Sequence, residues 1–313
     1  MNRKNTLLFL VIAILAELFL RLDFRNATLI LTELRLPRLV LAFSIGSALA
    51  MSGAVMQTVL NNPLAEPYTL GIASGAALGA AIFNSMGFHL GVFGLNAGAV
   101  IGSIAVLLLI SRVILKNELR FDSVILLGVM LSMFCSSLLA IWMAIADPIG
   151  VQTITFWLLG DLTRVGLKTG IALFVVSSIV FFYFMRISKK LDGFLFGESM
   201  VEGFGVSLRQ TQTIVVVLIS VLVGFCVSAA GMIGFVGLMV PHLIRKRMGT
   251  SIHGKILPYV FVWGGISLVM SDAIAHTVSY PLELPVGAVT ALIGAPVFIY
   301  LFIYRKFGRG AES

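Results

Sequence analysis

Two acidic side chains, Glu17 and Asp272, stand inside long apolar runs and are the first candidates for chemistry in this chain. A carboxylate at membrane depth is costly unless it faces protein or water, so each calls for a partner or for a proton-coupling role. Glu17 has Arg21 one helical turn later as a possible partner. The four histidines, His89, His242, His253 and His276, are scattered over loops and span ends without ligand spacing, so no metal site is expected. His242, beside Pro241, could be a metal ligand or proton site, or an ordinary hydrogen-bonding residue. Cys135 and Cys226 both fall within apolar runs, which argues against a disulfide. Gly249 to Lys255 has the spacing G-x-x-x-x-G-K, but Ile256 follows where a magnesium-binding Ser or Thr is required and no strand precedes it, so it is not a phosphate-binding loop. With no nucleophile, metal set or nucleotide site, no catalytic residue and no cofactor is expected, and the chain does not read as an enzyme.

The elements that carry these residues belong in lipid. The chain of 313 residues is 59% hydrophobic and 12% charged, with a mean hydropathy of +1.05, against about a quarter charged in ordinary globular domains. Backbone groups must be paired in hydrocarbon, which leaves helices or a closed barrel, and the apolar runs here are about twice the roughly ten-residue segments of a barrel. Runs of about 20 residues fall near 6–22, 38–58, 68–87, 94–115, 123–146, 166–185, 209–230, 256–277 and 285–304. The first lacks a small-x-small exit and reads as an anchor, not a cleaved leader. A shorter apolar piece, Gly237 to Ile244, follows Gly231 and Gly234 and contains Pro241; it reads as a half-span broken by that proline. The expectation is an all-α polytopic integral membrane protein with about ten transmembrane helices, one of them a short half-span, in a single transmembrane domain over 1–313.

Charge sets the orientation. With the N-terminus inside, 16 of the 22 Lys and Arg fall on the inner side, which predicts cytoplasmic N- and C-termini. The net charge of +8 is spread over short loops and not gathered into a stripe, so no nucleic-acid partner is expected. Four basic residues, Arg21, Arg25, Arg35 and Arg38, cluster in the first outer loop against this bias. Between the fifth and sixth runs, Pro148 to Leu162 carries Val151, Ile154, Trp157 and Leu158 at helical spacing, as an interfacial helix or an extension of the fifth span would.

Small residues at Gly46, Ala50, Ser52, Gly53 and Ala54, and again at Gly71, Ser74, Gly75 and Gly79, let helices approach closely and are expected to serve packing. Asn62, Pro63 and Leu64 interrupt the apolar pattern at the end of a span, as a loop that narrows a passage would.

Several strings resemble the FecCD-like permeases, the membrane subunits of ABC importers for iron-siderophores, haem and vitamin B12. They are RLPR at 35–38, SGAVMQ at 52–57, NPLAEP at 62–67, LGIASGA at 70–76, WLLGDL at 157–162, GFVGLMVPHLIR at 234–245 and ELPVGAVTALIGAPVF at 283–298. The resemblance covers nearly the whole chain and implies a multi-pass protein of the bacterial cytoplasmic (inner) membrane. Its implied partners are two ATP-binding subunits, a periplasmic or lipoprotein substrate-binding protein, and a second permease, identical or related. It places Arg35 and Arg38 against the binding protein, with His276 at a third docking position that is often arginine in the family. It makes Asn62, Pro63 and Leu64 the inner gate, and puts Leu119 to Asp122 at a second constriction, where Arg120, Phe121 and Asp122 depart from the family's small hydroxyl residues. The cytoplasmic loop at about 186–208, with Leu191, Gly197, Glu198 and Gly205, matches the element that couples to the ATPase, although Val201 and Glu202 depart from the usual residues. Gly234, Pro241, His242 and Arg245 belong to the motif lining the passage. The cargo implied first is an iron(III)-siderophore, with vitamin B12 and haem behind it.

A secondary transporter driven by an ion gradient is the competing class. It would show inverted repeats and paired broken helices with intramembrane charges, whereas the sequence offers one broken helix and two isolated acids.

Overall fold

The computed structural model describes Thr6, Phe9, residues 12–13, 29–85, 92–116, 121–163, 166–196, 208–279 and 282–308. The described residues form helices and no strand. The expectation for Glu17 and Arg21 lies outside them. Among the described residues, six helices are long and apolar enough to cross a membrane, and Ile72–Ser85 and Val286–Tyr300 are shorter apolar helices.

The central element is α1, Leu36–Val59, approached through a π-helical turn at Ile30–Arg35. Pro37 follows directly on that turn, and since Leu36 N–H still bonds to Leu31 O the helix runs through from Ile30 to Val59. Of the most apolar stretch of Ile30–Val59, 83% is buried, against 22% for Val124–Ile145, so α1 is the core and the latter helix lies at the periphery. A helix enclosed on all sides needs no polar face, and neighbours reach it through its small residues. A Cβ on Gly46 would overlap the carbonyl of Gly264, and one on Gly53 the carbonyl of Gly237.

The segment Pro67–Leu70 is a 3₁₀ turn ending at Gly71, whose φ of +76° only glycine adopts freely, so the next helix, α2, starts at Ile72 and runs to Ser85. It packs on α3, Val92–Lys116, through two glycine pairs: a Cβ on Gly79 would strike the Gly98 carbonyl, and one on Gly102 the Gly75 carbonyl. The peripheral α4, Phe121–Ile145, turns Met130, Met133, Phe134 and Ile141 outward, as a lipid-facing surface does. Asp147 caps a separate helix, α5, Pro148–Leu158, by accepting from Gly150 N–H at 2.9 Å, so this segment does not extend α4. The chain continues through α6, Leu167–Arg186, the short α7, Ser188–Gly193, and α8, Leu208–Ala230.

After α8 the helix is interrupted over residues 231–235 and resumes as α9, Val236–Met248. A short helix stands where the half-span was expected, and Pro241 does not break it: the proline lies inside α9. A proline at this position frees the carbonyl of Gly237, one turn earlier, from its usual helical partner. Gln57 of α1 supplies the replacement, its amide Nε2 donating to Gly237 O at 3.2 Å. The last elements are α10, His253–Val278, packed along α1, and α11, Val286–Gly308.

Candidate functional site

At the N-terminal end of α1, Arg38 is clamped between two acids. Its Nε and Nη2 donate to the two carboxylate oxygens of Asp272 in α10, at 2.5 and 2.7 Å, and its Nη1 donates to Glu283 at 2.7 Å. Asp272 is fully buried and the Arg38 side chain is 13% exposed. This planar, two-point pairing is what guanidinium and carboxylate geometry favour. It answers the question that Asp272 posed in the sequence. Arg35 is half-buried at the start of α1. His276 is half-buried too, and its Nδ1 donates to the Asp272 carbonyl at 2.9 Å. A cavity of about 160 Å³ beside the clamp is lined by Arg38, Phe156, Asp161, Thr163 and Glu283, among others.

At the other end of α1, Asn61 adopts a positive φ of +46°, which asparagine tolerates better than most residues. Asn62 follows with a side chain that accepts from Leu64 N–H at 2.9 Å and a carbonyl that accepts from Ala65 N–H at 3.0 Å. Pro63 therefore rides in a tight turn, and it and Leu64 are exposed.

This turn is part of a second interruption, residues 60–71, which meets the first. Glu66 Oε1 accepts from the N–H of Phe235 at 2.8 Å, and the Tyr68 hydroxyl accepts from the N–H of Ile233 at 3.2 Å. Phe235 holds a φ of +68°, rare for a bulky residue, and starts α9. Gly234 lies between these contacts, its missing Cβ 3.8 Å from Glu66 Oε1. On the far side, Asp161 N–H donates to Ala230 O at 2.9 Å, Val286 N–H to Gly160 O at 3.2 Å and Gly287 N–H to Leu159 O at 3.1 Å. Four strings singled out in the sequence, NPLAEP, WLLGDL, GFVGLMVPHLIR and ELPVGAVTALIGAPVF, thus converge on one junction of α5, α8, α9 and α11. Side chains of 60–71 thus satisfy backbone N–H groups of the interrupted stretch 231–235, as something must away from water.

Arg245, in the last turn of α9, reaches α1 and donates to Gln57 Oε1 at 2.5 Å and Ala54 O at 2.7 Å. His242 stands in mid-α9 with its ring edge-on to Phe298 of α11, 6.3 Å between centroids. Among the described residues no group of three or more His, Cys, Asp or Glu could hold a metal ion. Leu191 is fully buried in α7. Gly197, Glu198, Gly205, Leu119 and Arg120 lie outside the described residues, while Phe121 and Asp122 open α4.

Sequence reasoning passed over Glu66, Gln57, Asp192 and His253 as partners. Glu66 was within reach of it, as an acid in an otherwise apolar string. The Asp192 carboxylate accepts from both the backbone N–H and the ring Nδ1 of His253, each at 2.7 Å. Partial burial pushes the Asp192 carboxyl up, but these two hydrogen bonds and the nearby imidazole outweigh it and hold the group below the ordinary carboxylate range.

The pattern of the FecCD transport family matches residues 8–304. The chain belongs to the FecCD transport family. It is 35% identical over 297 residues to the uncharacterised ABC transporter permease protein YvrB of Bacillus subtilis, covering 91% of this chain and 81% of YvrB. To the hemin transport system permease protein HmuU of Yersinia pestis it is 33% identical over 284 residues, covering 88% and 84%. Further relatives are named for iron chelatin transport and vitamin B12 import. A solved inward-facing structure assigned to the metal-chelate type of ABC transporter superposes with a TM-score of 0.87 at 29% identity, covering 96% of this chain and 98% of that one. This FecCD protein is therefore a multi-pass membrane permease of the ABC importer class. Its membership decides against the secondary transporter despite the paired interruptions.

Proposed function

We propose that this FecCD permease carries an iron(III)-siderophore-type chelate inward across the bacterial cytoplasmic membrane, driven by ATP hydrolysed on separate subunits. The observation that carries the reading is the whole-length family match, joined to relatives whose names specify hemin, iron chelatin and vitamin B12. All three are bulky chelates of a metal, and iron chelates account for two of them.

In this reading the chain has about ten membrane helices with both termini in the cytoplasm, and pairs with a second permease around the passage. A substrate-binding protein docks at the end marked by Arg35, Arg38 and His276, while Asn62, Pro63 and Leu64 form the inner gate. Two ATP-binding subunits engage the cytoplasmic segment that begins at Leu191 and includes Gly197, Glu198 and Gly205. The junction of the two interruptions, with Gly234, Pro241, His242 and Arg245, supports the passage wall. Hemin or vitamin B12 is the second reading, favoured by the names of HmuU and of the vitamin B12 relatives.

The test is uptake by proteoliposomes holding this chain, its ATP-binding subunits and its binding protein, offered a ferric siderophore, hemin and cobalamin in turn. ATP-dependent uptake of the siderophore alone supports the first reading. Uptake of hemin or cobalamin in its place supports the second.

A further inference from the structure

Asp192 in α7 and His253, the first residue of α10, are joined by more than a cap. The Asp192 Oδ1 that accepts the His253 backbone N–H also accepts its ring Nδ1–H, and it lies at the positive end of the α10 dipole. An ionised carboxylate only accepts, so Nδ1 carries a hydrogen on this bond. Thr58 Oγ1 lies 3.0 Å from the other ring nitrogen, Nε2, within hydrogen-bond distance, and also donates to Ala54 O at 3.3 Å. Arg245 Nη2 in turn approaches Thr58 Oγ1 at 3.4 Å. The contacts therefore form one continuous chain, from α9 through the last turn of α1 and the start of α10 to α7. His253 is fully buried and Thr58 is buried, so water does not replace a broken link. Neighbouring contacts make α7 a firm lever: Leu191 is fully buried, and a Cβ on Gly254 would lie 3.5 Å from Ser188 Oγ. One residue after Thr58 α1 ends at Val59, and the chain turns from Asn61 through 62–64.

We propose that Asp192, His253 and Thr58 form a positioning relay that ties α7 to the end of α1, so that a displacement of α7 is delivered to the turn at 61–64. The relay rests on the reading that the segment beginning at Leu191 engages the ATP-binding subunits and that 62–64 gate the inner mouth. It moves no substrate atom itself. Its role is to keep two distant segments in register while both move.

The test uses the full chain assembled with its ATP-binding subunits in lipid nanodiscs. A cysteine placed at exposed Leu64 reports on the turn, since native Cys135 and Cys226 are buried. The change in its labelling rate by a water-soluble maleimide on adding ATP is divided by the ATP hydrolysed. Thr58→Val keeps the shape and removes the hydroxyl; this ratio is expected to fall about fivefold or more, the scale of an ordinary coupling energy, and to return with Thr58→Ser. Asp192→Ala, a change at a partly exposed site, is expected to give the same fall. A defect of folding alone lowers hydrolysis and labelling response together, and a ratio unmoved in both Thr58→Val and Asp192→Ala overturns the relay. Failure of the ATP-binding subunits to bind the chain with Thr58 and Asp192 intact overturns the coupling reading, and the relay with it.

Discussion

The guanidinium of Arg38 grips the carboxylate of Asp272 through two hydrogen bonds, joining residues 234 positions apart and pinning α10 to α1. Removing Arg38 strands Asp272 as an uncompensated charge in a buried setting, which costs about 3–5 kcal/mol where measured, whereas removing Asp272 leaves Arg38 its bond to Glu283. Arg38→Ala is expected to destabilise on that scale and Asp272→Ala by less. Replacing both by apolar residues, Arg38→Met with Asp272→Leu, is expected to recover most of the loss. Thermal unfolding of the detergent-solubilised protein checks this; a double variant as unstable as the sum of the single ones would contradict the pairing.

Arg35 should behave differently. It does not share the double clamp, so under the docking proposal Arg35→Glu weakens association with the binding protein more than it lowers thermal stability. The loss should shrink as salt rises, because exposed charges are screened over about 8–10 Å near physiological ionic strength. Binding measured at low and high salt reads this directly. A salt-independent loss would remove Arg35 from the docking surface.

Glu66 bridges the two interruptions through the N–H of Phe235. Glu66→Gln keeps an acceptor oxygen in the same place without the charge, and is expected to be tolerated. Glu66→Ala leaves a buried N–H unpaired and is expected to cost about 1–3 kcal/mol. Equal destabilisation by both changes, seen in urea or thermal unfolding, would mean that the charge and not the hydrogen bond matters.

Asp192 supplies a pH test. Its carboxyl titrates lower in the folded protein than in the unfolded chain, because burial is outweighed by the bonds from His253. The folded state therefore binds fewer protons, and the contribution of Asp192 is complete above the unfolded value of about 3.9. It is lost as pH falls through that value toward the folded one. The stability difference between the native chain and Asp192→Asn is thus expected to be constant from pH 7 to 5 and to shrink below about pH 4. Parallel pH profiles down to acid would contradict the bond.

What the sequence disclosed and what it hid follow from the range of the interactions. Hydrophobic runs are local, and so the long helices and the shorter piece after Gly234 were legible, as were the glycines that the fold uses as helix contacts, such as Gly46 on Gly264 and Gly53 on Gly237. Pro241 was misread because the rule that proline breaks a helix is also local, whereas the carbonyl it frees is satisfied by Gln57, 180 positions away. Asp272 was flagged as needing a partner, but nothing near it in sequence pointed to Arg38. Glu66 stood in plain view within a quoted string, and its meaning depended on a second interruption that periodicity did not reveal.

The central claim is that this FecCD permease is a passage driven by ATP hydrolysed elsewhere. Its most direct test is the uptake of a ferric siderophore into proteoliposomes containing the chain, with and without its ATP-binding subunits and binding protein, under either ATP or an imposed proton gradient. The account predicts uptake only when the partners and ATP are all present. Uptake by the chain alone, driven by the proton gradient, would contradict it.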